Sequence, residues 1–335
     1  GGERALLGQG QQLVEVDRDG KPVPTDARLP LETEGPMALS PDGRRVAALG
    51  YPIGYHIGGP DPGLPQVPNQ KGILVIADRR TGAVLVRAAA AGDDGFPGEG
   101  AMAFSPDGRR LAVGTYKGVL TILDSGTGQV LAERTVDSSG YVRALRWSRD
   151  GTVLYEGGGD GVLRFLDPAT LKSEKELSLT ANGNFTLNAV VPVPRTTLLA
   201  VGGDAGQIFF VDAGRRTVVG QPLAAQGAQL LALAVSPDGS VVAGVGWDGA
   251  LRLWDRPSGR AIGPPLEAHD GYTRSIAWLD QKHLLTGGND VLISWDMTPS
   301  DWVTRACELA GRDLTRAEWA RYLPGQPYRR TCGPQ

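Results

Sequence analysis

One phrase recurs along this chain. Residues 40–50 read SPDGRRVAALG, residues 105–114 read SPDGRRLAVG, and SPDGSVVAGVG starts at Ser236. A second phrase follows each copy, a short apolar run that ends in aspartate. LVEVD ends at Asp17, LVIAD at Asp78, LTILD at Asp124 and LRFLD at Asp167. IFFVD ends at Asp212, LRLWD at Asp255 and ISWD at Asp296. Successive aspartates lie 61, 46, 43, 45, 43 and 41 residues apart. A chain that repeats itself at such a period stacks like units, each burying its apolar face against the next.

Each period reads as four strands, and a period of about 40–45 residues is that of a propeller blade. In one copy, 101–105 is strand a, 110–114 strand b, 119–124 strand c and 129–134 strand d. Pro-Asp-Gly makes the a–b turn: proline presets φ, aspartate allows an Asx-type bond and glycine supplies φ > 0. The repeated phrase therefore carries shape. No segment between Gly2 and Met297 has a helical apolar period. The 48 glycines among 335 residues suit many turns, and a hydrophobic share of 41% is enough for a core.

The chain resembles the WD-repeat β-propeller family. Trp254-Asp255 and Trp295-Asp296 carry the resemblance, together with a buried polar set in the last unit: His269, Thr286, Asp290 and Trp295. Leu123, Leu166 and Val211 stand where other repeats have tryptophan. The expectation is an all-β, seven-bladed propeller of four-stranded antiparallel blades over 1–297, followed by a short helical tail over 298–335 packed on it. The first unit lacks its strand a and the last lacks its strand d, two strands short of seven full blades. The chain thus reads as a fragment of a longer protein, or as a ring with an unusual seam. The alternative is six blades, with N-terminal strands completing the last one.

In the tail, Ser300 is the expected N-cap of one helix, which presents Trp302, Ala306, Leu309 and Ala310 on one face and stops at Gly311. Thr315 and Glu318 have capping-box spacing in a second helix, ended by Pro324 and Gly325. Residues 306–332 resemble C-terminal tails of actinobacterial WD-repeat proteins, many of which close multidomain signalling proteins of the STAND NTPase or kinase type. That resemblance includes both cysteines, Cys307 and Cys332. If the second helix folds back on the first, the two come close enough for a disulfide.

Little in the chain points to catalysis. The P-loop, the Gly-x-Ser-x-Gly elbow and the Asp-x-Asp-x-Asp-Gly calcium loop are missing from the sequence. Three scattered histidines, His56, His269 and His283, do not make a zinc site. A net charge of −3 gives no pull toward nucleic acid, and no apolar run reaches the length of a membrane span. No cofactor or metal is expected, and the expected location is cytoplasmic. On usual propeller wiring the d–a and b–c loops share one face. There they carry Tyr116, Lys117, Tyr141, Arg143, Phe185, Asn188, Trp247, Tyr272 and Arg274, the residue types of interface hot spots. The long insertion 51–72 is a binding loop or a disordered one. The reading is a non-catalytic protein-interaction or sensor propeller, the C-terminal module of a larger bacterial signalling protein. The alternatives are a propeller enzyme such as a metal-dependent lactonase, or a redox-cofactor propeller.

Overall fold

The computed structural model describes residues 4–17, 21–23, 27–33, 36–50, 55–56, 59–60, 72–89, 100–136, 141–179, 185–225, 227–288 and 291–332. It opens with β1 (Arg4–Asp17), β2 (Pro22–Val23) and β3 (Arg28–Thr33), in which β1 pairs with both β2 and β3. Blade one follows as β4 (Met37–Leu39), β5 (Arg45–Gly50), β8 (Ile73–Asp78) and β9 (Val84–Ala89). The short hairpin β6 (Tyr55–His56) and β7 (Gly59–Pro60) interrupts it. Blade two is β10 (Ala101–Phe104), β11 (Arg110–Gly114), β12 (Val119–Asp124) and β13 (Val130–Thr135). Blade three is β14 (Val142–Trp147), β15 (Leu154–Gly158), β16 (Val162–Leu166) and β17 (Ser173–Ser178). Blade four is β18 (Leu187–Pro192), β19 (Leu198–Gly203), β20 (Gln207–Asp212) and β21 (Thr217–Ala224). Blade five is β22 (Leu230–Val235), β23 (Val241–Gly246) and β24 (Ala250–Asp255), with a fourth strand split into β25 (Arg260–Ala261) and β26 (Leu266–Glu267). Blade six has three strands, β27 (Ser275–Trp278), β28 (His283–Gly288) and β29 (Val291–Asp296).

The propeller has six blades, which corrects the expectation of seven. Six sheets begin with an a–b hairpin: β4-β5, β10-β11, β14-β15, β18-β19, β22-β23 and β27-β28. The β1–β3 sheet shows no such hairpin among the described residues. Asp17 ends a strand as the sequence suggested, but a strand-ending aspartate counts strands and not blades. The β1–β3 sheet instead closes the ring. Leu13, Leu29 and Leu31 pack on Val46 and Val75 of blade one, while Val14 and Val16 pack on Leu279, Leu285 and Leu292 beside and within blade six. Nor do the described N-terminal strands pair with β29. The seven-blade reading places Gly2 in an a–b turn; Gly2 lies outside the described residues.

Apolar residues alternate out of each blade into the next. Ile76 and Leu49 of blade one meet Leu111 and Leu123 of blade two, and Ile122 and Leu120 meet Trp147 and Leu154 of blade three. Each fully buried leucine or isoleucine contributes about 1.5–3 kcal/mol against exposure. The turns are made by side-chain oxygens. In four a–b turns a serine hydroxyl donates to the aspartate two residues on at 2.6 Å and accepts from the backbone N–H five residues on at 2.9 Å. The sets are Ser40/Asp42/Arg45, Ser105/Asp107/Arg110, Ser148/Asp150/Val153 and Ser236/Asp238/Val241. The glycines that follow, Gly43, Gly108, Gly151 and Gly239, have φ between 68° and 78°, as this turn requires. The Ser148 copy has Arg149 where the others have proline, so the motif is Ser-x-Asp-Gly.

On the same edge, arginine joins one blade to the next. Arg45 donates to the Gly108 carbonyl and the Ser125 hydroxyl, and lies 5.7 Å from the Phe104 ring. Arg110 repeats the contact one blade on, with the Gly151 carbonyl and the Trp147 ring at 4.5 Å.

After Asp296 come α1 (Pro299–Ala310) and α2 (Arg316–Tyr322). The N-cap of α1 is Thr298 and not Ser300, because Pro299 takes the first helical position. Gly311 ends α1 in the left-handed region at φ 63°. Thr315 and Glu318 form the capping box of α2.

Candidate functional site

The b–c turns and the loops joining one blade to the next share a face, and two of them carry the same arrangement. Tyr116, in the b–c turn of blade two, stacks on Tyr141 at 4.3 Å, and the Arg143 guanidinium lies 5.5 Å from the Tyr141 ring. Their hydroxyls are 3.2 Å apart. Trp247 takes the same place in blade five, beside Tyr272 at 5.5 Å, and Arg274 lies 4.8 Å over the Tyr272 ring. In each set 25 residues separate the two aromatics, and the arginine follows the second by two. The turn glycine two residues after the first aromatic, Gly118 or Gly249, has φ 73° or 68°. The sets are therefore equivalent, three blades apart. Trp247 and Tyr272 are 48% and 42% exposed, so both side chains reach solvent. Lys117 is exposed beside Tyr116.

Two residues expected on this surface belong elsewhere. Phe185 is 3% exposed and packs edge-on against Phe209 in the core between blades three and four. An aromatic residue in a joining loop turns inward where the inter-blade core offers it a place. The Asn188 amide donates to Asp204 at 2.6 Å and to the Leu230 carbonyl of blade five at 2.9 Å, so it braces two blades. The pairing of Tyr116 with Tyr141 and of Trp247 with Tyr272 was missed in the sequence. Its signal was the shared 25-residue separation with arginine two residues on.

In blade six, His269 Nε2 lies 3.0 Å from the Thr286 hydroxyl, which also accepts from the Trp295 indole N–H at 2.9 Å. Burial lowers the His269 pKa, which keeps the ring neutral and suits a structural link. Asp290 lies outside the described residues, as does the His56 side chain. His283 Nδ1 is 2.8 Å from Asp280. Trp147 is buried and donates to the Ala103 carbonyl; Trp278 is half-buried.

One buried charged group stands apart. Arg164 on β16 reaches both Glu156 on β15, at 3.2 Å, and Asp160 in the b–c turn. Glu156 is fully buried, and desolvation pushes its carboxyl up to about 7 despite the arginine. Among the described residues no group of three His, Cys, Asp or Glu is placed to hold a metal ion. No helix of the described residues is long and apolar enough to cross a membrane.

Cys307 on α1 is bonded to Cys332, with their Cα atoms 5.3 Å apart. The tail has its own small core. Trp319 is buried against Tyr328, its indole N–H donates to the Gln326 carbonyl, and Asp313 accepts from the backbone N–H of Thr331 and of Cys332. Arg312 pairs with Glu318 through two bonds of 2.8 Å.

The comparisons agree with this architecture. A family model described as WD domain, G-beta repeat, matches residues 220–255, which span the end of blade four and blade five up to Trp254-Asp255. The chain is 25% identical over 202 residues to echinoderm microtubule-associated protein-like 2 of Mus musculus and of Homo sapiens. The match covers 58% of this chain and 28% of those proteins. It is 28% identical over 169 residues to WD repeat-containing protein slp1 of Schizosaccharomyces pombe, covering 49% of this chain and 33% of that protein. These alignments thus span about a third or less of the curated relatives' length. A chain in the crystal structure of the mitotic checkpoint complex superposes with a TM-score of 0.66 at 20% identity, covering 88% of this chain and 87% of that one. That likeness concerns the fold alone. The chain is a β-propeller with a WD repeat, similar to eukaryotic WD-repeat proteins.

Proposed function

We propose that the chain is a non-catalytic interaction propeller that binds a protein partner through the face of its b–c turns. The observation that carries this reading is the twice-repeated aromatic pair with its arginine. Rings held against each other lose little side-chain entropy on binding, and aromatic and arginine residues dominate interface energetics. Trp247, Tyr272 and Arg274 form the main contact, and Tyr116, Tyr141, Arg143 and Lys117 the second. Relatives named for microtubule association, and a like fold within a protein complex, support a protein partner. A net charge of −3 supports a partner other than nucleic acid. The proposal extends to a cytoplasmic sensor or scaffold at the C-terminal end of a bacterial signalling protein, supported by the residues of the tail. The helical tail over 298–335 is read as a unit beside the propeller.

Affinity capture followed by mass spectrometry tests the reading. The bait is the wild type, the double variant Trp247→Ala/Arg274→Ala, or Arg109→Ala on the opposite face. Proteins lost only with the double variant support the assignment. Equal capture by the double variant, with loss by Arg109→Ala, overturns it.

A further inference from the structure

Blade three carries one charged group more than its sister, blade five. Arg164 on β16 is shared by three carboxylates: Glu156 on β15 at 3.2 Å, Asp160 in the b–c turn, and Glu176 on β17 at 3.4 Å. Glu156 is fully buried, and its Oε1 has no hydrogen-bond partner. Glu156 stands opposite Arg164, three residues past the turn glycine Gly161. Val113 and Val201 take the matching places on β11 and β19, opposite Thr121 and Phe209, and Gly244 takes it on β23, opposite Arg252. Blade five therefore repeats the clamp without the glutamate. Its Arg252 bonds to Asp248 in the b–c turn at 3.0 Å. The aspartate and arginine hold the turn in both blades, and Glu156 is an addition.

The surroundings of Glu156 are mostly apolar. It lies two residues from Leu154 and so shares its face, which packs with Val142 and Trp147 against Leu120 and Ile122 of blade two. The cation that blade two brings is Arg134 on β13, and it is tied to the Leu171 carbonyl at 3.0 Å. Loss of solvent raises the carboxyl to about 7; Arg164 and Arg134 oppose the rise, and Asp160 adds to it. The acid also sits directly under a turn that reads Gly157-Gly158-Gly159-Asp160-Gly161. A Cβ on Gly158 would lie 3.4 Å from Glu156 Oε1 and 1.7 Å from the Tyr141 carbonyl oxygen, so the chain closes over the acid only as glycine. Asp160 holds this turn from both ends, accepting from Arg164 and from the Val162 N–H at 3.1 Å.

We propose that the b–c turn of blade three is a pH-operated latch, closed over Glu156 while that carboxyl holds its proton and loosened when the proton leaves. Ionised, Glu156 places a second negative charge beside Asp160 and competes with it for Arg164. A buried anion with a bare oxygen also draws water, which reaches it by parting the turn. The latch lies beneath Tyr141 of the second aromatic set. It rests on the fold, and not on what that set binds.

Amide NMR on the whole chain, recorded from about pH 5.5 to about pH 8.5, tests it. Signals of 157–162 should shift with a midpoint of about 7. Above the midpoint their exchange, corrected for base catalysis, should be about threefold or more faster than below it. The turn 246–249 of blade five has the clamp without the acid and should do neither. Glu156→Gln, neutral at every pH, should keep the turn closed throughout. Glu156→Val, the residue that β11 and β19 carry, should do the same, and it serves alone if the glutamine variant does not fold. Three results overturn the proposal. One is no shift of 157–162 across the range. Another is the same midpoint surviving in a variant, which assigns the titration to a different group. The third is an equal shift at 246–249, which makes it a property of the whole ring.

Discussion

Replacing Ser105 by alanine removes one oxygen from the a–b turn of blade two and isolates two groups. The hydroxyl donates to Asp107 at 2.6 Å and accepts from the Arg110 N–H at 2.9 Å. Ser105 is fully buried, so water cannot take its place without opening the turn. A hydrogen bond to a charged group is worth about 1.5–3 kcal/mol, and an orphaned buried N–H costs about 1–3 kcal/mol. Asp107 is open to water and still accepts from the Arg109 N–H, which moves its share to the lower end. Ser105→Ala is expected to lower stability by about 2–3 kcal/mol in urea unfolding. The same oxygen is the first cause of the lowered Asp107 pKa, followed by the Arg109 N–H. A depressed carboxylate adds stability above its unfolded value of 3.8 and loses it as pH falls through the folded value. The gap between variant and wild type should therefore narrow below about pH 4, and the Asp107 carboxyl should titrate higher in NMR. A loss under about 0.5 kcal/mol, with an unmoved Asp107 titration, would refute the account of the turn.

Glu156 gives the opposite pH signature: burial raises its carboxyl from 4.5 to about 7, so the folded chain holds a proton that the unfolded chain has released. Stability should fall as pH rises from about 4.5 to 7, and Glu156→Gln should flatten that fall in denaturation curves. Arg195 has φ 62° in the a–b turn of blade four, where the sister turns have aspartate and the following residue is the glycine, so Arg195→Gly should raise the melting temperature. Gly43→Ala, with open space but φ 68°, should cost about 1 kcal/mol. Reducing Cys307–Cys332 should speed amide exchange over 313–332, because a bridge across 25 residues restrains the tail by about 3 kcal/mol. The unfolding midpoint of the blades should not move; a drop there would show that the tail supports the ring.

Strand order was legible wherever a side chain fixed the backbone. Asp124 and its equivalents end strands because their carboxylates cap the next turn, and Ser-Pro-Asp-Gly closes a hairpin by its own bonds. These are local effects, readable one residue at a time. The number of blades is not local. Asp17 ends β1 as Asp78 ends β8, yet only the second follows an a–b hairpin among the described residues. Exposure was equally hard to read. Phe185 and Trp247 both sit in loops on one face, and only packing against Phe209 separates the first from the second. The two aromatic sets were recoverable, since Tyr116 with Tyr141 and Trp247 with Tyr272 repeat one separation.

The arginine that reaches from one a–b turn to the next has a consequence for how such a ring grows. Arg45 meets a glycine carbonyl and a ring at the end of strand a, and Arg110 meets the same pair one unit later. Blade two thus carries a plug, Arg110, on one side and the matching socket, Gly108 and Phe104, on the other. A tandem duplication that copies one unit in register copies both, so the newcomer is compatible with its neighbours on arrival. Blade number is then free to drift by duplication of such a unit, while the joint it makes with its neighbours stays the same.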